Sequence, residues 1–298
     1  MEVNKVYLGD CIEIMRTLPD ASVDLVFADP PFNIGIKYDV HNDNMPYEEY
    51  YKWSEKWIKE TYRLLKNNGS IYIAIGDEFA AEINIILKRT GFYFRNWIIW
   101  YYTFGQNQRK KFNRAHTHIL YFTKDKEEFT FNDKDIRVPS ARQLIYKDKR
   151  ANPSGKIPDD VWQFSRVCGT FKERIGRHPC QMPESLLELI IKASSNEGDL
   201  VLDPFGGTGT TAAVAKKLKR NFITMEISKE YYEIIIKRLD GKVAEIKRNK
   251  NIDIENQKTL FDFWYCMIII AKLPIFYFIL EKKKRNDIFI ATKLLIEK

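Results

Sequence analysis

Apolar residues in the first part of the chain fall into short unbroken runs separated by amphipathic stretches. Val23, Leu25, Val26 and Phe27 in SVDLVFADPP form one such run, which suits a strand buried on both faces. NKVYLGD and the periodic CIEIMRTLP precede it, so the opening reads strand, helix, strand. A helix is predicted from about Tyr47 to Asn67, carrying Tyr50, Trp53, Trp57 and Tyr62, with Asn68-Gly69 as its stop. A strand, SIYIAIGD, a helix, EFAAEINIILKRTG, and two aromatic-rich strands, RNWIIWYYTF and HTHILYFTK, follow. Strands alternating with helices imply a parallel α/β sheet.

The alternation lapses over residues 125–177, which are polar, basic and punctuated by Pro139, Pro153, Gly155 and Pro158. That composition predicts an insertion or small lobe. Alternation resumes over 178–255 with PESLLELIIKAS (helix), DLVLDPFGGTG (strand), TTAAVAKKLK (helix), NFITMEI (strand) and KEYYEIIIKRL (helix). The expected plan is therefore 1–124, an insertion over 125–177, 178–255, and an apolar extension over 256–298. In that extension Lys272 and Pro274 interrupt FWYCMIIIAKLPIFYFIL, leaving no run of the ~20 apolar residues that a spanning helix needs. A docked terminal helix is favoured over a membrane span, and a non-native tail from a reading-frame change is a third reading.

Composition sharpens this picture in two ways. Four cysteines, Cys11, Cys168, Cys180 and Cys266, lack any metal-ligand spacing, and MEVNKVYLGD lacks a charged-then-apolar leader, so a reducing cytoplasm is expected and no metal site. The net charge of +8 points to a polyanionic partner. The positive charge concentrates in 105–177, at Arg109, Lys110, Lys111, Arg114, Arg137, Arg142, Lys147, Lys149, Arg150, Lys156, Arg166, Lys172, Arg174 and Arg177. Tyr146, Trp162, Phe164 and Phe171 lie among them, a mixture suited to phosphate anchoring and base-edge readout.

Two motifs carry candidate chemistry. Asp203-Pro204-Phe205-Gly206-Gly207-Thr208-Gly209 stands where a buried strand gives way to a helix, and its glycines permit a sharp turn and a close approach to a ligand. It lacks the GxGxxG order of a dinucleotide site and the GK[ST] ending of a phosphate loop. Glu226, at the end of the next strand, is placed to accept hydrogen bonds from ribose hydroxyls. A ribose-bearing ligand without a pyrophosphate is implied. Asp29-Pro30-Pro31-Phe32 also follows a buried strand, at the edge where α/β sheets bind ligands. Two prolines stiffen the turn and remove two donors, leaving an acceptor cluster suited to an amino group. Acceptors that hold both N–H bonds of an exocyclic amine out of conjugation free its lone pair, and Phe32 can stack on the base. The competing readings are a tight turn with a solvated glutamate for the first motif and a proline turn with a capping aspartate for the second.

Together, DPPF and the FxGxG loop resemble the amino-methylating DNA methyltransferases, which act on adenine N6 or cytosine N4. Because DPPF at position 29 precedes the glycine loop at position 203, the chain is similar to their β group, whose fold is circularly permuted. HPCQMPESLLELIIKASSNEGDLVLDPFGGTGTT is similar to the family's HPTQKPxxLLxxxIxxxS…DPFxGSGTT signature, and the likeness covers about residues 3–240. It implies a Rossmann-like methyltransferase sheet with an inserted target-recognition region over 125–177, and S-adenosylmethionine as cofactor. Asp29, Pro30, Pro31 and Phe32 would be catalytic. Asp203, Phe205, Gly207, Gly209 and Thr210 would shape the cofactor pocket, Glu226 would take the ribose and Asp10 would lie near the cofactor's adenine.

His178, Pro179, Gln181 and Pro183 correspond to the segment at the cofactor's methionine end, with His178 more positional than catalytic. Asp10 reads equally as a helix cap. Phe32 stands where Tyr is commoner, and Cys180 and Met182 stand where the family has Thr and Lys, which puts a local phosphate or cofactor contact in doubt.

The partner implied is double-stranded DNA with its target base flipped out beside Phe32, and Trp97, Trp100, Tyr101 and Tyr102 are candidates for the opposing wall. DPP favours adenine over cytosine. An RNA or protein amino methyltransferase and a catalytically silent DNA-binding protein are the alternatives. A cognate restriction endonuclease and a homodimer are left open, and a membrane partner is disfavoured.

Overall fold

The computed structural model describes residues 1–36, 42–106, 108–169, 171–175, 178 and 180–243. The expectations that fall on Arg177, Pro179, Cys266 and the 256–298 extension lie outside the described residues. Along the chain run β1 (Lys5–Leu8), α1 (Cys11–Arg16), β2 (Val23–Ala28), α2 (Tyr47–Leu64), β3 (Leu65–Ile75), α3 (Ala80–Thr90), β4 (Tyr93–Gln106) and β5 (Arg114–Thr123). Then come a 3-10 turn (Asp133–Ile136), α4 (Ala141–Leu144), β6 (Val161–Gln163), α5 (Glu184–Ser194), β7 (Leu200–Asp203), α6 (Thr210–Lys217), β8 (Asn221–Glu226) and α7 (Lys229–Leu239).

The strands join in one sheet of order β1-β8-β7-β2-β3-β5-β4-β6. β2 is buried at every position because helices cover both faces of the sheet. Val26 and Ala28 turn to the face packed by α1, α2 and α3, and Leu25 and Phe27 to the face packed by α5, α6 and α7. The buried Asp24 reaches across β2, accepting the Leu200 N–H at 2.9 Å and pairing with Lys66 at 2.8 Å. A mixed α/β sheet thus stands where a parallel one is predicted. Among the described residues β5 alone runs antiparallel to its neighbours, because the direct β4–β5 hairpin forces the chain to reverse.

Two further sequence expectations change. The helix predicted to Asn67 ends at Leu64, since Leu65 is already extended, and β3 begins there. Asn68-Gly69 lies inside an irregular stretch of β3 rather than at a helix stop. A Cβ at Gly69 would come within 2.7 Å of Leu65 Cδ2 and 3.0 Å of the Asp24 carbonyl, so close strand approach is what requires glycine there. The 125–177 segment, for its part, supplies β6 to the sheet edge beside β4. It also ties Asn132 to the end of α5, with its N–H 2.7 Å from the Ala193 carbonyl. No helix among the described residues is long and apolar enough to cross a membrane.

Candidate active site

β2 and β7 are parallel neighbours, with Leu25 opposite Val201 and Val26 opposite Leu202. DPPF and the glycine loop, remote in sequence, therefore leave the same sheet edge side by side. Between them opens a cavity of about 260 Å³. Asp29, Pro30, Pro31, Phe32, Asp10, His178, Asp203, Phe205, Gly207, Thr210 and Glu226 all line it.

Gly209, also singled out from the sequence, does not line the cavity. It begins α6 with φ +74°, and a Cβ there would lie 2.8 Å from Ile235 Cγ2 of α7. Its glycine serves the turn and the helix packing beneath the loop. Gly207 serves the cavity itself: at φ +52°, its Cβ would meet the His178 ring at 3.4 Å. Glu226 is tied to this loop, since its carboxylate accepts the Gly207 N–H at 2.7 Å and the Ser228 N–H at 2.8 Å. Burial pushes Glu226 up to about 7, against the pull of those N–H groups. Burial likewise raises Asp203 to about 6, while its carboxylate accepts the Phe205 N–H at 2.9 Å. Asp10 lines the cavity and caps α1 by accepting the Ile12 and Glu13 N–H groups.

Asp29 faces the cavity with its carboxyl pushed up to about 8, first by desolvation and then by the charge on Asp203. Three residues that the sequence did not mark hold the turn around it. Tyr50 of α2 donates its hydroxyl to the Pro31 carbonyl at 2.7 Å. Buried Asp43 accepts the N–H groups of Asn33 at 2.7 Å, Ile34 at 3.1 Å and Ile36 at 2.8 Å. Asn33, with φ +55°, in turn accepts the Met45 N–H and donates to its carbonyl. Phe32 leans over Gly76 at the end of β3, where a Cβ would stand 3.3 Å from its ring.

β4 and β5 provide the far wall. Of the four aromatic candidates, Trp100 and Tyr102 line the cavity; Tyr101 is exposed, and Trp97 packs on the opposite face of the sheet and donates to His118 Nδ1 at 2.8 Å. His178 lies with its ring edge-on to Tyr231 and is held down to about 4 by desolvation, so it is neutral at physiological pH. Cys180 also lines the cavity and is exposed; partial desolvation by the walls and the charge on Asp29 push its thiol up to about 11, which keeps it protonated. Met182, where the resemblance expects lysine, is buried in the core cluster with Leu186, Leu187 and Ile190 and also lines the cavity. Arg238 of α7 and Arg166, after β6, were not assigned to the site from sequence. Arg238 lies in the last turn of a stretch that the sequence marks only as a helix, and Arg166 is one cation of the basic 105–177 stretch. Among the described residues, no group of His, Cys, Asp and Glu is arranged to hold a metal ion.

Known proteins similar to this chain are DNA methyltransferases. The sequence model of a family described as DNA methylase matches residues 23–237. The chain is 42% identical over 239 residues to the type II methyltransferase M.HpaI of Haemophilus parainfluenzae, covering 80% of this chain and 74% of that one. It is 36% identical over 276 residues to the DNA adenine methyltransferase YhdJ of Escherichia coli K12, covering 87% and 92%. Among solved structures it is similar to the M1.HpyAVI-SAM complex, with a TM-score of 0.58 and 28% identity over 79% of this chain and 98% of that one.

Proposed function

Because the chain belongs to the DNA methylase family, we propose that it transfers the methyl group of S-adenosylmethionine to the exocyclic N6 of adenine in DNA. The observation that carries this reading is the shared cavity, in which the Asp29 turn and the glycine loop face one ligand space.

The residues present fit the cofactor. Gly207 leaves a cradle that a Cβ would fill against His178, and Phe205 walls it. Glu226 and Asp10 offer acceptors for ribose hydroxyls and the adenine amine, and Asp203, Thr210 and the rest of the loop shape the floor. When bound, S-adenosylmethionine supplies an electrophilic methyl group on a sulfonium. The acidic and aromatic lining suits a cation.

The chain's own work lies at the acceptor side. The Pro31 carbonyl is engaged by Tyr50, so the Asp29 carboxyl and the Pro30 carbonyl are the acceptors that receive the two amine N–H bonds. Held there, the nitrogen lone pair turns out of conjugation with the ring and toward the cofactor side. Positioning and electrostatics carry the rate, and no strong general base is needed before attack. Phe32 on one side and Trp100 and Tyr102 on the other enclose the base, which leaves its stack to enter. DPPF ahead of the glycine loop, on neighbouring parallel strands, fits a circularly permuted arrangement of the two halves. The 125–177 segment serves target recognition in this reading, and a reducing cytoplasm suits the free Cys11, Cys168 and Cys180.

The test is to incubate the purified protein with unmethylated genomic DNA and isotope-labelled S-adenosylmethionine, digest to nucleosides, and identify the labelled species by mass spectrometry. Labelled N6-methyladenine is expected. Labelled N4-methylcytosine would move the target base, and an unlabelled digest with cofactor still bound would move the substrate to RNA or protein or leave a silent DNA-binding protein.

A further inference from the structure

Four carboxylates line the cavity, at Asp10, Asp29, Asp203 and Glu226, against two guanidinium groups, Arg114 and Arg166. Arg114 is spent on Asp77 at 2.8 Å. Arg166 enters no ion pair among the described residues. It lies over the face of Tyr102, with Cζ 5.1 Å from the ring centroid. We infer that Arg166 receives a phosphodiester of the DNA strand that carries the flipped target nucleotide, an assignment that rests on the methyltransferase reading above.

The backbone that carries Arg166 is pinned on both sides. β6 pairs with β4 just before it, the Phe164 N–H donates to the Tyr101 carbonyl at 3.2 Å, and Trp100 Nε1 donates to the Phe164 carbonyl at 2.8 Å. Immediately after it, Val167 bridges to Gln181, a buried residue that accepts the Ile175 N–H at 2.8 Å and donates to the Glu173 carbonyl at 2.7 Å. The guanidinium is thereby delivered to the cavity with little backbone freedom to lose on binding. Tyr102, whose hydroxyl donates to the His116 carbonyl at 2.9 Å, supplies a fixed platform beneath it.

Its position across the sheet selects the ligand. Glu226 and the glycine loop end β8 and β7, whereas Tyr102 lies on β4, five strands along from β8 and three from β2. Arg166, lying over Tyr102, stands at the wall that with Trp100 faces Phe32 across the base in the reading above, beside that base's sugar and phosphates. An always-charged, planar donor at a site rimmed by aromatic rings recognises a phosphate oxygen pair. The other anion in the system, the cofactor's carboxylate, is the competing ligand, because Val167 bridges to Gln181 in the segment that the resemblance puts at the cofactor's methionine end, and the experiment separates the two.

The experiment compares the wild type with Arg166→Met and Arg166→Lys, measuring methyl transfer to genomic DNA across a salt series and cofactor affinity by calorimetry. For Arg166→Met, the KM for DNA rises about tenfold, the value of one charged hydrogen bond. The salt slope falls by about 0.9, one phosphate's worth, and cofactor affinity is unchanged. Arg166→Lys retains the salt slope, a result that a merely structural role would not give. Weakened cofactor binding with an unchanged KM for DNA would assign the anion to the cofactor's carboxylate and overturn the inference. An unchanged KM and slope would overturn it too, with wild-type transfer showing that the methyltransferase reading stands. Absence of wild-type transfer would sink that reading and this one with it.

Discussion

Arg238 of α7 donates to the Thr208 carbonyl at 3.0 Å from beneath the glycine loop. The same guanidinium reaches Thr210 Oγ1 at 3.0 Å and Glu184, at the start of α5, at 2.7 Å. A buried arginine is tolerable here because each face of its fork has an acceptor, and the Glu184 charge offsets the loss of hydration. The consequence is that the ends of α5, α6 and α7 and the loop are tied together through one side chain.

Arg238→Met leaves the Thr208 carbonyl buried without its donor and frees the loop. A loss of about 1–3 kcal/mol in stability is expected. The KM for S-adenosylmethionine should rise at least about tenfold while kcat and the KM for DNA stay close to wild type, with the factor taken from one lost charged hydrogen bond. Thermal melting and steady-state kinetics check both. A lower active fraction at unchanged KM would reduce Arg238 to a folding role.

Asp43 does for the Asp29 turn what Arg238 does for the glycine loop. Asp43→Ala orphans three backbone donors and releases Asn33 from its left-handed conformation. A 1 Å displacement of the acceptor cluster is enough for a loss of about 10²-fold in kcat. Calorimetry should find cofactor affinity within a few-fold of wild type, which separates this variant from Arg238→Met.

Three cavity acids, Asp29, Glu226 and Asp203, are raised to about 8, 7 and 6. Each binds its proton more tightly folded than unfolded, so the unliganded protein gains stability from them at low pH. That contribution is complete below the unfolded values near 4 and is lost as pH rises through the folded values. Between pH 5 and pH 8, chemical denaturation of the cofactor-free protein should therefore show stability declining, and Asp29→Asn should flatten the decline at its upper end. The same variant should bind cofactor and transfer little or no methyl group. Full turnover by Asp29→Asn would remove Asp29 from the chemistry.

On the 125–177 segment, Arg142 and Arg150 both hold Asp148, at 2.7 and 3.1 Å, and their hydrogen bonds keep its carboxyl well below the usual range. Leu144, Ile145 and Tyr146 project from the same turn and are strongly exposed. Replacing Arg142, Lys149 and Arg150 with alanine should weaken DNA binding, and each phosphate contact removed should lower the salt slope by about 0.9. Binding isotherms across a potassium chloride series check this. An unchanged slope would place the DNA surface elsewhere.

Periodicity alone located most of the strands and helices, because runs such as VDLVFA and helices such as ESLLELIIKAS carry one dominant signal, burial on two faces or on one. It failed where a local signal was outweighed. Asn68-Gly69 resembles a helix stop, yet the pairing of Leu65 with Val23 carries β3 back through Leu65. The β4–β5 hairpin reversed one strand in a sheet that the alternation made parallel.

The motifs legible in the sequence, DPPF and the glycine loop with Glu226, are those whose chemistry resides in the residue types themselves: stiff acceptors, absent Cβ atoms and an acid at a strand end. Their adjacency was decided by the sheet, which sets β7 beside β2. So were the residues that hold them. Tyr50, Asp43 and Arg238 carry no site signature in sequence, and Arg166 is legible only as one cation of a basic stretch, because a tyrosine, an aspartate or an arginine acquires its particular role only from the partner that folding brings to it. Sequence determined the chemistry on offer, and tertiary structure decided which groups meet, since hydrogen bonds and charges act over a few ångströms and chain order does not measure that distance.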